Sequence, residues 1–122
     1  MESCIREYAD IDQLRQCKAN IEEVQTAIQK LSKALNLAGN EVRLKILYLL
    51  NTEKAMCPCD LSDVLEMTVP AISQHLRKLK DVDIIRSEKK GQTIFYSLNN
   101  DAAQVIISLL GNISTNEAVL IK

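Results

Sequence analysis

The stretch Val69-Pro70-Ala71-Ile72-Ser73-Gln74-His75-Leu76-Arg77-Lys78-Leu79, preceded by Thr68 and followed by Lys80, decides the fold. At 100° per residue, Val69, Ile72, Leu76 and Leu79 cluster on one side of a helix. The opposite side carries Pro70, Gln74, Arg77 and Lys78, with Ser73 and His75 on its flanks. Thr68 is a good N-cap, and Pro70 sits in the first turn, where no intrahelical donor is lost. The pattern predicts a helix to about Lys80 with an apolar back and a polar, basic front.

Working upstream, Asp60 to Glu66 reads as a short helix with Leu61, Val64 and Leu65 facing inward. Cys57-Pro58-Cys59 stands where that helix begins, after a connection from Asn51 to Met56. Val42 to Leu50 is a further helix, separated by Gly39-Asn40 from a long one over about Asp10 to Leu37. In the long helix Leu14, Ile21, Val24, Ile28, Leu31 and Leu35 recur at three, four or seven residues. Residues 1–9 carry no helical stripe and are expected to form a mobile arm.

Downstream the period changes. Ile84 to Ser87 and Thr93 to Leu98 are β-prone, and the charged turn Glu88 to Gln92 between them holds Gly91, which can take positive φ. This is a two-stranded hairpin with a basic tip. Asn100 or Asp101 is expected to cap a last helix to about Leu110, whose Val105, Ile106, Ile107, Leu109 and Leu110 spread round its circumference. Such a helix is buried on more than one side. The expected architecture is mainly α with a small β-hairpin, a winged helix-turn-helix domain over residues 10–111, followed by a tail over 112–122.

Composition narrows the function. The 122 residues are 47% apolar but only 3% aromatic, with no Trp, so aliphatic side chains must build the core. No apolar run approaches the ~18 residues of a membrane span. The polar, acidic start, Met1 to Asp10, lacks the basic flank and apolar core of a secretory signal. A cytoplasmic location is expected, with Cys4, Cys17, Cys57 and Cys59 kept reduced. There is no Gly-rich phosphate loop, nucleophile elbow or Cys–His pair at a recognisable spacing, so no enzymatic activity is expected.

The net charge is −1, yet between Arg77 and Lys90 six basic residues face three acidic ones, and residues 1–24 hold three basic and six acidic. Positive charge is thus concentrated on the elements that would read double-stranded DNA. Gln74 can pair bidentately with an adenine edge and Arg77 with guanine, while Thr68, Ser73 and Lys78 suit phosphates or mixed contacts. Pro70, at the front of the same helix, and Gln92, beside Lys89 and Lys90 on the wing, complete the candidate interface. The alternative is a solvated basic face, and it is the combination of helix order, wing and charge that favours DNA. For His75 a structural role at the core edge competes with a DNA contact.

Two thiols two residues apart at a helix start favour metal binding over packing, although a closed thiolate site wants three or four ligands. Cys4 and Cys17 are the remaining thiols, and a lone Cys such as Cys17 is more often a small buried apolar residue than a ligand. Two other readings stand beside metal sensing: a thiol-redox or persulfide sensor on the same scaffold, and a metal-buffering or interaction module that never meets DNA.

Three further stretches join the helix quoted first. Asn40 to Leu50 resembles the second helix of the ArsR/SmtB metalloregulators, and Met56-Cys57-Pro58-Cys59-Asp60-Leu61 resembles their metal box. Val69 to Leu79 is similar to their recognition helix, and Gly91 to Leu98 to their second wing strand. The resemblance covers about residues 20–110. It implies a homodimeric repressor, held by the first and last helices, that leaves operator DNA when metal binds. Its cadmium- and lead-sensing branch implies a soft-metal site (Cd, Pb or Hg, with Zn or As(III) as further ions) built from Cys57 and Cys59 of one protomer and Cys4 of the other. Cys17 is the fourth candidate and a departure, since the branch keeps its extra arm cysteine nearer Tyr8. A second family site on the last helix uses Asp and His ligands. Here Asp101 is present but Ala103 replaces the His, so zinc sensing there is expected to be absent.

Overall fold

The computed structural model describes residues 3–113, which separate into two compact units dividing after Ser32. The element order is α1 (Ile11–Ala38), α2 (Glu41–Glu53), β1 (Ala55–Met56), α3 (Pro58–Leu65), α4 (Val69–Asp81), β2 (Ile85–Lys90), β3 (Thr93–Leu98) and α5 (Gln104–Leu110).

The first unit holds most of α1. Asp10 starts the helix, its carboxylate accepting from the Gln13 backbone N–H at 3.1 Å. All six residues of the expected stripe are exposed, from Leu14 at 38% to Ile21 at 57%. Ala38, at the far end of α1 and in the second unit, is its only buried residue.

The second unit is built round Ile46, Leu47 and Leu50 of α2, Leu61 of α3, and Ile72, Leu76 and Leu79 of α4, each no more than 1% exposed. Ile84, Ile85, Ala103, Ile106 and Leu110 complete this core. Burying each large aliphatic side chain contributes about 1.5–3 kcal/mol. Asn40 caps α2 and Thr68 caps α4 through side-chain oxygens. The sheet is antiparallel in the order β1-β3-β2.

Several sequence expectations need correction. The hairpin is three-stranded, because Ala55 and Met56 pair with Ser97 and Tyr96. A two-residue strand has no period to read; it forms because α2 runs on to Glu53 and Lys54, at φ 76°, turns the chain onto the edge of β3. The charged turn is shorter than expected, since β2 continues to Lys90 and only Gly91 and Gln92, with Gly91 at φ 65°, separate the strands.

Neither Asn100 nor Asp101 caps α5, which begins after Ala103 without a side-chain cap. Asn99 is instead committed to the base of the wing, and its carbonyl accepts from Ala103 N–H at 2.8 Å, so the chain turns before the helix starts. Within one chain α5 buries Ile106 and Leu110 but leaves Val105 and Leu109 47% and 56% exposed, so it is covered on one side only. Val64 is likewise 55% exposed, and Val69 39%; both point away from the core that holds Leu61 and Ile72. The expected tail falls largely on residues 114–122, outside the described residues.

Candidate nucleic-acid interface and thiol pair

The turn between α3 and α4 is tightly specified. Glu66 closes α3 in the left-handed conformation, Ser62 Oγ donates to the Met67 carbonyl, and Thr68 Oγ1 accepts from Ala71 N–H at 3.3 Å. These bonds set the direction in which α4 leaves α3. On α4 the residues Pro70, Gln74, Arg77 and Lys78 are exposed, with Ser73 and His75 half-buried. The side that the sequence marks as polar is the side at the surface.

The wing is braced from both ends. Lys80 Nζ donates to Ser87 Oγ at 2.6 Å, joining the end of α4 to β2. Arg86 donates to Asn99 Oδ1, and Asn99 Nδ2 donates to the Asp83 carbonyl, both at 2.9 Å. Two of the six basic residues therefore hold the scaffold. Lys89, Lys90 and Gln92 are exposed at the tip. Lys90 lies 3.8 Å from Glu88 and 5.9 Å from the centroid of the Phe95 ring, which leaves Lys89 the freer of the two cations. What the arrangement can do is lay a helix with amide and guanidinium donors into a major groove and rest ammonium groups on flanking phosphates.

His75 has a specific structural partner. Its Nδ1 accepts from Arg43 Nε at 3.1 Å, and Arg43 also donates from a terminal nitrogen to the Leu37 carbonyl at 3.0 Å. Burial first, then the Arg43 guanidinium and the Lys78 ammonium, hold the imidazole below its ordinary range. Sequence reasoning passed over Arg43, because a contact 32 residues away leaves no periodic trace.

Cys57 is the extended N-cap of α3, buried, and its side chain makes no capping bond. Pro58 opens the helix two residues before the expected start at Asp60, so Cys59 lies inside the first turn and is exposed. Cys4, outside any helix or strand, and Cys17 on α1 are exposed and belong to the first unit. The pair at α3 supplies two sulfur donors at the start of one helix. Among the described residues no three His, Cys, Asp or Glu side chains gather round one point, so this pair fits part of a thiolate site and needs further donors to close it. An apolar groove of about 520 Å³ between α2 and α3, lined by Leu44, Leu49, Val64 and Leu65 among others, involves neither the thiols nor α4.

A short helix, a turn, a second helix with a polar face and a β wing define a winged helix-turn-helix transcription regulator. Comparison with known proteins agrees: residues 40–87 match the model of the bacterial regulatory protein, arsR family. The chain is 31% identical over 80-odd residues to the arsenical resistance operon repressor of Bacillus subtilis, covering 66% of this chain and 77% of that protein. It is 32% identical to a cadmium resistance transcriptional regulatory protein CadC homolog of Staphylococcus aureus, covering 66% of this chain and 64% of the relative. Reduced HlyU from Vibrio cholerae superimposes with a TM-score of 0.69 at 30% identity, over 78% of this chain and 99% of that one. The chain belongs to the arsR family of DNA-binding transcription regulators. The relatives it matches are regulators by name, and among the described residues no helix is long and apolar enough to cross a membrane.

Proposed function

We propose that this chain is a cytoplasmic, homodimeric repressor that binds operator DNA and releases it when a thiophilic metal ion is bound by cysteine thiolates. The ligands are Cys57 and Cys59 of one protomer with Cys4 of the partner subunit, and Cys17 is the fourth candidate. The observation that carries the reading is the placing of an unengaged thiol at the N-cap of α3 and a second thiol in its first turn, on the helix that leads directly into α4. Ligation there acts on the helix-turn-helix itself, and ligands drawn from two protomers would bias the spacing of two recognition helices across two half-sites.

Soft thiolate donors select Cd(II), Pb(II) or Hg(II), with Zn(II) and As(III) as further ions. The cadmium- and arsenical-resistance names of the relatives support that class of effector. Ligation requires deprotonated thiols, so metal affinity should weaken at low pH. By linkage, DNA must weaken metal binding by the factor by which metal weakens DNA binding. The exposed apolar stripe of α1 and the exposed Val105 and Leu109 of α5 supply the surface for dimerisation through the first and last helices.

The test is fluorescence anisotropy of the reduced protein on its own upstream DNA, titrated with these five ions. Release by one or two soft ions, lost in Cys57→Ser, is the expected result. Release by peroxide or polysulfide with metals inert would transfer the thiols to the redox reading, and the absence of any salt-sensitive duplex affinity would overturn the repressor.

A further inference from the structure

Three elements of the second unit meet at one guanidinium. Arg43 is in the first turn of α2, where its backbone N–H donates to the capping Asn40 side chain at 3.1 Å. Its side chain donates to the carbonyl of Leu37, in the last turn of α1, and to Nδ1 of His75, in the middle of α4. The Leu37 carbonyl is one of those that a helix end leaves without an intrahelical partner, so the bond satisfies an otherwise orphaned group. Arginine has no acceptor and keeps its protons. The nitrogen it faces must therefore be bare, and a neutral His75 must carry its proton on Nε2.

We propose, on the basis of the repressor reading above, that Arg43 is a positioning residue for operator recognition: it holds His75 as the Nε2–H tautomer and so ties the recognition helix to the junction of α1 and α2. The charged groups that face this imidazole are Arg43 from α2 and Lys78 from α4 itself, both cationic. Protonation of Nδ1 would remove the acceptor and set an imidazolium against a guanidinium. The link is therefore made only by the neutral ring. Movement at the end of α1 reaches α4 through two hydrogen bonds and one rigid planar group, a short path between the proposed dimerisation helix and the reading helix.

Because His75 is the chain's one histidine, its spectrum is unambiguous. Long-range ¹⁵N–¹H correlation of the metal-free, reduced protein should show the Nε2–H tautomer with a midpoint below 6.5, and Arg43→Lys should return both tautomer mixture and midpoint toward those of a free imidazole. Operator affinity should fall about tenfold between neutral and mildly acidic pH, the equivalent of one charge-assisted hydrogen bond. That direction opposes simple electrostatics, since an added positive charge strengthens binding to phosphates. His75→Gln, which keeps an acceptor that does not titrate, should flatten the pH profile, whereas His75→Leu, which removes the acceptor, should lose affinity for the operator more than for a non-cognate duplex.

An imidazole spectrum unchanged in Arg43→Lys would overturn the link. Equal losses on cognate and non-cognate duplexes would overturn its role in recognition. Failure of the wild-type protein to bind any duplex would remove the repressor reading on which that role rests, and the spectrum would still report on the link.

Discussion

Helices α1 and α4 carry the same kind of apolar stripe and meet opposite fates. In α4, Ile72, Leu76 and Leu79 are fully buried, whereas the stripe of α1 stays 38% to 57% exposed in the single chain. Period-3.6 patterning states that a helix has an apolar face; it does not state what covers that face. A 28-residue helix with a continuous exposed stripe is unlike the scattered surface apolar residues of a monomer, and the homodimer proposed above is what would cover it.

The sharpest way to break this comparison is to truncate one residue from each stripe. Leu76→Ala should cost about 2–5 kcal/mol in urea denaturation, since it opens a cavity in a closed core. Ile28→Ala should cost under about 1 kcal/mol at protein concentrations where the chain is monomeric, with the cost growing as concentration rises into the dimeric range. An equal, concentration-independent loss at both positions would show that α1 is covered within its own chain.

The polar sides of the second unit can be separated in the same manner. Arg77→Ala should cost about 1–3 kcal/mol of operator affinity and relax specificity at one base pair. Lys89→Ala should weaken all duplexes alike and reduce the slope of log affinity against log salt by about one. Anisotropy on cognate and scrambled duplexes at several salt concentrations checks both.

Acid distinguishes the two units as well, because His75 lies in the second. Its folded-state value is lowered, so the unfolded chain binds more protons near its ordinary range. The stability it contributes is present above about pH 6.5 and is lost as pH falls through the lower folded value. Chemical denaturation between pH 7.5 and pH 5 should show this slope in the wild type, and a shallower one in His75→Gln. The smallest effect is expected at Lys54, held at φ 76° where α2 gives way to β1. Lys54→Gly should raise stability by up to about 1 kcal/mol, read as a higher Tm.

Most of the fold was legible because its signals are local. Thr68 before Val69-Pro70 announces a capped helix, and Ile72, Leu76 and Leu79 mark its buried side. The hairpin was legible from Gly91 and the β-prone runs beside it. What escaped was set by distant partners. Ala55-Met56 becomes a strand only because β3 offers a free edge, and Asn100 and Asp101 cap nothing because Asn99 is already bound at the base of the wing. The basic cluster was visible as composition, yet its division into bracing residues, Lys80 and Arg86, which bond to Ser87 and Asn99, and Arg77, Lys78 and Lys89, which make no such brace, needed Ser87 and Asn99 in place.

By itself, then, the amino-acid order determined the helices, the wing, the polar front of α4 and the two thiols at the start of α3, since each depends on neighbours within one or two turns. Tertiary structure alone decided that the α1 stripe stays open, that Cys57 is buried while Cys59 faces solvent, and that Arg43 joins Leu37 to His75. Burial and long-range hydrogen bonding depend on which surfaces arrive together when the chain closes, and periodicity along the chain carries no information about that meeting.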